Sequence, residues 1–359
     1  MLISRQKKDF LTIIFSCFPG IKSSIGLWFI ILAGLINELN CMKTSLTIGM
    51  AQIAPVWLNR EATMEKMLNY VSDAAARQCD LVVFGEALLP GYPFWVELTD
   101  GALFNSPVQK ELYAYYAKQA VSVASGGLSS FCQIAKEKKI MIVLGFIERA
   151  EDRGSHSLYC SLANIATDGT IQYIHRKVMP TYEERLVWAT GDGQGLQVSK
   201  LGAFTVGALN CWENWMPLIR SSLYAQGEDL HIALWPGSVR NTTDITRFIA
   251  QESRSYVISV SSLLRKADIN IEVPFAEEMI AKSSEWLADG GSCIAGPDGE
   301  WIIAPLAYEE KLLIAKLQHH RVFEERQNFD PSGHYSRPDI TQLLVSRERQ
   351  TVVKFINGA

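Results

Sequence analysis

The chain of 359 residues carries 34 basic and 38 acidic side chains, a formal net charge of −4, and 48% hydrophobic residues. That hydrophobic share fills a sizeable core, and the acidic balance without a long basic run argues against a nucleic-acid partner. Seven cysteines, an odd number at irregular spacing, fit reduced thiols in a cytoplasmic protein better than a disulfide framework.

In chain order, the first 41 residues stand apart. Two apolar stretches, Phe10–Phe18 and Ile25–Ile36, are separated by Lys22 and preceded by Arg5, Lys7 and Lys8. The second is too short for a membrane span, which takes roughly 18 residues or more, and the basic flank has the look of a signal n-region. From Met42 onward the pattern is that of a soluble α/β protein. Leu46–Ala54 predicts a strand, and Arg60–Gln78 a helix with Met64, Met67, Leu68 and Val71 on one face. A short apolar strand at 80–85 follows, then helices near 107–124 and 128–138 and a strand at Ile140–Ile147. Leu158–Thr167 and Ile171–Arg176 predict a hairpin around Asp168-Gly169. Strands are expected near 203–210, 230–235 and 256–262, helices near 214–226 and 241–252, and a second Asp-Gly hairpin at 298–299. Such alternation gives a layered α/β fold in one domain, with no internal repeat or linker.

Three strand ends carry chemistry. The run Phe204–Asn210 delivers Cys211 to a strand-to-helix junction, where a helix N-terminus favours a thiolate. Asp80–Gly85 ends in Glu86, and Ile171–Arg176 runs into Lys177. In open α/β sheets, sites gather beyond the carboxyl ends of strands. A thiol, a carboxylate and an ammonium at three such ends make a candidate nucleophile, base and charge stabiliser. Cys79, Cys132, Cys160 and Cys293 read as inert buried hydrophobes. No Cys-x-x-Cys, phosphate loop or nucleotide fingerprint is present, and the paired His319-His320 lacks a zinc-like cluster, so neither metal nor cofactor is expected.

These blocks resemble a known family. Phe84-Gly-Glu-Ala-Leu-Leu-Pro-Gly-Tyr-Pro93, His175-Arg-Lys-Val-Met-Pro-Thr-Tyr-Glu-Glu-Arg185 and Asn210-Cys-Trp-Glu-Asn-Trp-Met-Pro217 are similar to the three signature blocks of the nitrilase superfamily of carbon–nitrogen hydrolases. The wording around the cysteine is closest to the nitrilase branch, and Gly-His-Tyr-Ser-Arg-Pro-Asp at 333–339 is typical of its C-terminal region. Gly85 departs from the pattern, because many relatives have proline before the glutamate, and a looser turn is expected there.

The resemblance implies a four-layer αββα sandwich, homodimers pairing through helices, and spiral assemblies of those dimers. It implies that Glu86 is the general base, Lys177 the electrostatic stabiliser and Cys211 the nucleophile. Glu184 would be a second glutamate completing a tetrad, with the neighbouring Glu183 as the competing assignment. The implied substrate is a small organic nitrile, converted to an acid and ammonia through a thioimidate and a thioester. An amide or carbamoyl hydrolase on the same scaffold is the rival, and a non-catalytic filament protein a more distant one. Because Met42 reads like an ordinary start for such an enzyme, residues 1–41 are expected to be upstream sequence, with a membrane anchor as the alternative. The hydrolase domain is then expected at 42–340 and a tail at 341–359.

Other residues carry secondary expectations. Tyr92, Trp188 and Trp212 are candidate walls of a substrate pocket, as are Phe94 and Trp95, and the backbone N–H of Trp212 is a candidate second donor to developing negative charge. His175 is the alternative partner for the thiol in a papain-like pair. Arg176 is expected to position Glu184 or bind backbone carbonyls. The glycines at 191, 193 and 195 are expected to permit a tight turn near the site, and His334 and Arg337 to serve packing or subunit contact.

Overall fold

The computed structural model describes residues 43–353 and 356. The expected upstream segment 1–41 lies outside these residues. Thirteen strands among them form two sheets. The first contains β1 (Ser45–Gln52), β2 (Leu81–Phe84), β3 (Met141–Arg149), β4 (Leu158–Ile165), β5 (Ile171–Arg176) and β13 (Lys311–Gln318), in the order β13-β1-β2-β3-β4-β5. The second contains β6 (Val198–Leu201), β7 (Phe204–Asn210), β8 (Leu230–Trp235), β9 (Tyr256–Ser261), β10 (Leu263–Arg265) and β11 (Trp286–Ala295), with β12 (Trp301–Ala307) paired to β11. At the centre of each sheet three strands run parallel: β1, β2 and β3 in one, β7, β8 and β9 in the other.

Strand alternation explains the layers. On β1, Ile48 and Met50 face inward while Ala51 faces out. On β8, Leu230, Ile232 and Leu234 face inward while Ala233 and Trp235 face out. The inward sets of both sheets meet in one buried apolar layer. The outward faces are covered by helices. Met67, Val71 and Ala74 of α1 (Arg60–Ala76) and Phe131 and Ala135 of α4 (Ser129–Lys138) cover the first sheet. Ile245, Ile249 and Ala250 of α6 (Val239–Ser253), with Leu223 of α5 (Pro217–Tyr224), cover the second. The result is the expected αββα sandwich, in which each buried Leu, Ile, Val or Phe contributes about 1.5–3 kcal/mol. The remaining helices are α2 (Trp95–Leu98), α3 (Pro107–Gln119), α7 (Ala276–Lys282) and α8 (His320–Arg326).

Two boundaries differ from the sequence reading, each for a local reason. The helix expected at 107–124 stops at Gln119, because Val121 leaves it to exchange backbone hydrogen bonds with Ile147 and Arg149 at the edge of β3. The helix expected at 214–226 begins at Pro217. Met216 is forced into an extended conformation by the proline after it, so a separate 3₁₀ turn, Cys211–Trp215, precedes the helix. Residues 341–353 carry no regular secondary structure, yet they are tied to the body: Arg349 pairs with Asp192 at 3.1 Å, and the Gln350 N–H donates to the same carboxylate at 3.0 Å.

Candidate active site

Glu86 stands two residues beyond β2, on a loop braced from both sheets. Its backbone N–H donates to Trp235 O at 3.1 Å, hooking the loop to the end of β8. Gly85 is not loose as expected. A Cβ there would collide with Ser262 Oγ and lie 2.9 Å from Trp235 O, so glycine is what lets the second sheet close against the loop. Behind the loop, Gly145 of β3 packs its bare Cα against the backbone of Gly85, Glu86 and Ala87.

Lys177 follows β5 directly, and its backbone is held from two sides. Its N–H donates to Cys160 O on β4, and its carbonyl accepts from Gly191 N–H, each at 2.8 Å. Gly191 has no room for a side chain against the backbone of Arg176 and Lys177, which accounts for the glycine in that loop. Glu184 lies in the 3₁₀ turn Tyr182–Leu186, capped by Thr181. Its Oε2 accepts from the Thr181 N–H at 2.6 Å, so the cap fixes the carboxylate that faces the lysine.

Cys211 begins its 3₁₀ turn with φ +47°, in the left-handed region that a non-glycine residue occupies at a cost of about 1–3 kcal/mol. Two buried networks hold it there. Asn214 Nδ2 donates to Cys211 O at 2.8 Å, and Asn214 Oδ1 is held by His231, itself paired with Glu228. Glu213 accepts from Asn210 N–H at 3.0 Å, from Val178 N–H at 2.5 Å and from His175 Nε2 at 3.0 Å. One carboxylate therefore joins the residue before Cys211 to the residue after Lys177, across the two sheets.

The strand ends converge. Lys177 Nζ donates to Glu86 Oε1 at 2.8 Å and to Glu184 Oε2 at 2.7 Å. Glu86, Glu184 and Cys211 each bring a carboxylate oxygen or the sulfur within 4.8 Å of the other two, and the positive charge among them is the lysine ammonium. All four side chains are buried. Burial pushes Glu86 up to about 7, against the pull of Lys177. Burial also lowers the Lys177 ammonium, but its acidic neighbours Cys211, Glu86 and Glu184 outweigh that and hold the group well above the ordinary lysine value. The Cys211 thiol is pushed well above its ordinary range, first by burial and then by Glu86. The helix N-terminus expected at the thiol is not there: the helix begins at Pro217, and the 3₁₀ turn Cys211–Trp215 stands before it.

Comparisons with known proteins identify the family. The sequence profile of the carbon-nitrogen hydrolase family matches residues 47–327. The chain belongs to the carbon–nitrogen hydrolase family. It is 34% identical to an arylacetonitrilase of Aspergillus niger, over 85% of this chain and 93% of that one. It is also 34% identical to an aliphatic nitrilase of Sinorhizobium fredii, over 86% and 98%. Among solved structures, a carbon–nitrogen hydrolase of Helicobacter pylori superposes with a TM-score of 0.62 at 20% identity, covering 82% of this chain and 96% of that one. Nit3 of Saccharomyces cerevisiae, of the nitrilase superfamily, gives 0.61 at 17% identity, covering 82% and 97%.

Within this carbon–nitrogen hydrolase the secondary candidates separate. The Tyr92 hydroxyl lies 3.0 Å from Glu184 Oε1 and 2.8 Å from Glu183 Oε1, so both glutamates touch it, but only Glu184 reaches the lysine among the described residues. Trp188 is buried, edge-on to Tyr92, with its ring 5.7 Å from Lys177 Nζ. Trp212 is 49% exposed, while its backbone N–H lies against the Cys211 sulfur. Trp95 is fully buried against Tyr116, and Phe94 packs on Tyr92. The Nε2 of His175 is turned to Glu213. Arg176 does not position Glu184: its guanidinium is taken by Glu148 and Asp152 and lies over the Tyr159 ring. Arg337 pairs with Asp339 on the surface, and His334 contacts Tyr335. No helix among the described residues is long and apolar enough to cross a membrane.

Sequence reasoning missed Glu213, Asn214 and the thiol of Cys160, which donates to Glu86 Oε1 at 3.3 Å. For Glu213 a signal was there: Asn210-x-x-Glu213, like Thr181-x-x-Glu184, has capping-box spacing. Nothing local marks Cys160, whose role arises only when β4 is laid beside β5.

Proposed function

We propose that this protein is a nitrilase, hydrolysing a small organic nitrile to the carboxylic acid and ammonia through covalent intermediates on Cys211. The observation that carries the reading is the single ammonium of Lys177 bonded to two buried carboxylates beside a thiol. Relatives named as nitrilases support the choice of nitrile over other carbon–nitrogen bonds.

Glu86 accepts the thiol proton as the sulfur attacks the nitrile carbon. The sulfur's electron pair forms the S–C bond as one C–N π bond breaks, and the π pair moves to nitrogen, where Lys177 and the Trp212 N–H stabilise it. Glu86 returns the proton to that nitrogen, giving a neutral thioimidate. Glu86 then deprotonates a water that adds to the same carbon. Glu86 passes that proton to the nitrogen, the hydroxyl proton follows as the C–N bond breaks, and ammonia leaves a thioester behind. A second water, activated in the same way, displaces the sulfur, which regains its proton as the acid departs. Glu184, pinned by Thr181 and Tyr92, keeps Lys177 charged and aimed throughout. Tyr92 and Trp188 wall the substrate side of the lysine. Subunits pair through α5 and α6, whose outer side chains Leu218 and Phe248 are exposed.

The test is ammonia release from matched nitriles and amides by the wild type and Cys211→Ala. We expect turnover of nitriles by the wild type and none by the variant, with folding retained. Unchanged activity of the variant would end the covalent mechanism, and faster release from every amide than from its nitrile would favour the amidase reading.

A further inference from the structure

The thiol of Cys160 sits inside the candidate site but has no part in the steps above. It is buried on β4, and its Sγ lies 3.3 Å from Glu86 Oε1, the same oxygen that accepts from Lys177 Nζ at 2.8 Å. The other carboxylate oxygen, Glu86 Oε2, is buried and has no hydrogen-bond partner among the described residues. The Cys160 carbonyl also accepts the Lys177 N–H, so this one residue holds the backbone of the lysine and the carboxylate of the glutamate.

We propose that Cys160 is a positioning residue for the reaction: by donating its S–H to Oε1, it fixes Glu86 so that Oε2 is the oxygen that takes the Cys211 proton. The inference rests on the assignment of Glu86 and Cys211 as base and nucleophile. Burial keeps Cys160 protonated, well above the ordinary thiol range, so it acts as a donor and does not compete as a second nucleophile. With Oε1 saturated by an ammonium and a thiol, the charge of the carboxylate is concentrated on the unpartnered oxygen. A donor to the charged form also favours that form, so Cys160 lowers the pH at which Glu86 becomes available as a base.

A plain packing role makes a different forecast, which permits a clean test. Alanine and serine both shrink the side chain, but only serine keeps a donor. The rate of Cys211 alkylation by iodoacetamide, followed by peptide mass spectrometry from pH 5 to 9, reads base availability without any nitrile. The acid limb is expected to move up by about half a pH unit in Cys160→Ala and down by a similar amount in Cys160→Ser. Limbs that coincide with the wild type, or that move the same way in both variants, would overturn the proposal. Should the alanine variant fail to fold, a serine limb at or above the wild-type position does so alone. Ammonia release by Cys211→Ala in parallel distinguishes failure of this inference from failure of the mechanism beneath it.

Discussion

Gly145→Ala is expected to disable the enzyme without touching any reacting group. A Cβ at this position would lie 2.7 Å from Glu86 Cα and 2.8 Å from Ala87 N, and closer still to Gly85 O. Ordinary contact begins near 3.4 Å, so the loop bearing the carboxylate must retreat by about 0.7 Å or more, or β3 must bow away. Either movement stretches the 2.8 Å bond from Lys177 to Glu86. Misplacement by about 1 Å costs on the order of 100-fold in a reaction that depends on alignment. Overpacking a core by a methyl group costs about 1–3 kcal/mol of stability. We therefore expect a 30- to 100-fold fall in kcat in a protein that still folds and melts a few degrees early. Steady-state ammonia release alongside thermal unfolding measures both. A folded variant within threefold of wild-type kcat would refute the claim that this backbone contact sets the position of Glu86.

Three further outcomes follow from the electrostatics. Lys177→Met leaves two buried carboxylates without their cation, so activity should vanish and stability fall by about 3–5 kcal/mol in denaturant unfolding. Adding Glu86→Gln should restore part of that stability, and a single variant as stable as the wild type would contradict the pairing. Because burial raises Glu86 to about 7 and the base must be ionised, kcat/KM should fall as the pH drops through about 7. A limb near the ordinary carboxylate value of 4.5 would argue for a different base. Glu213 behaves oppositely. Burial alone would raise it, but His175 and the backbone N–H groups of Val178 and Asn210 hold it below its ordinary value. Its contribution to stability is therefore present above pH 4.5 and lost as the pH falls through the lower folded value. Glu213→Gln should lower the melting temperature most above pH 4.5, with the difference from wild type narrowing on acidification; a constant difference would exclude charge as the cause.

The elements on which the site is mounted were legible because each is written locally. The parallel strands β2 and β7 are short apolar runs that end where the chemistry begins, and the hairpin of β4 and β5 is announced by Asp168-Gly169. The helix-terminus argument for a thiolate failed because Pro217 delays the helix until after the 3₁₀ turn, and it ignored burial, which pushes the Cys211 thiol up. The loose turn expected at Gly85 was wrong for a related reason: the space available at that residue is set by Ser262 and Trp235, far away in sequence. Cys160 and Gly145 were invisible for the same cause, since their neighbours come from other strands. What the chain states in its own order is periodicity and turn chemistry; what it withholds is which backbone lies against which.

The pairing of β1 with β13 has a consequence for how the enzyme comes into being. Ser45 lies opposite Gln318 and Gln52 opposite Lys311, so the first strand of the described fold waits for the last one before that edge is filled. Contacts so distant along the chain are slow to form. A nascent polypeptide halted before residue 311 would present a bare strand edge at β1, an invitation to pair with another molecule. The nascent chain should accordingly stay vulnerable to aggregation until β13 has emerged, and a chaperone that shields β1 until then would raise its yield.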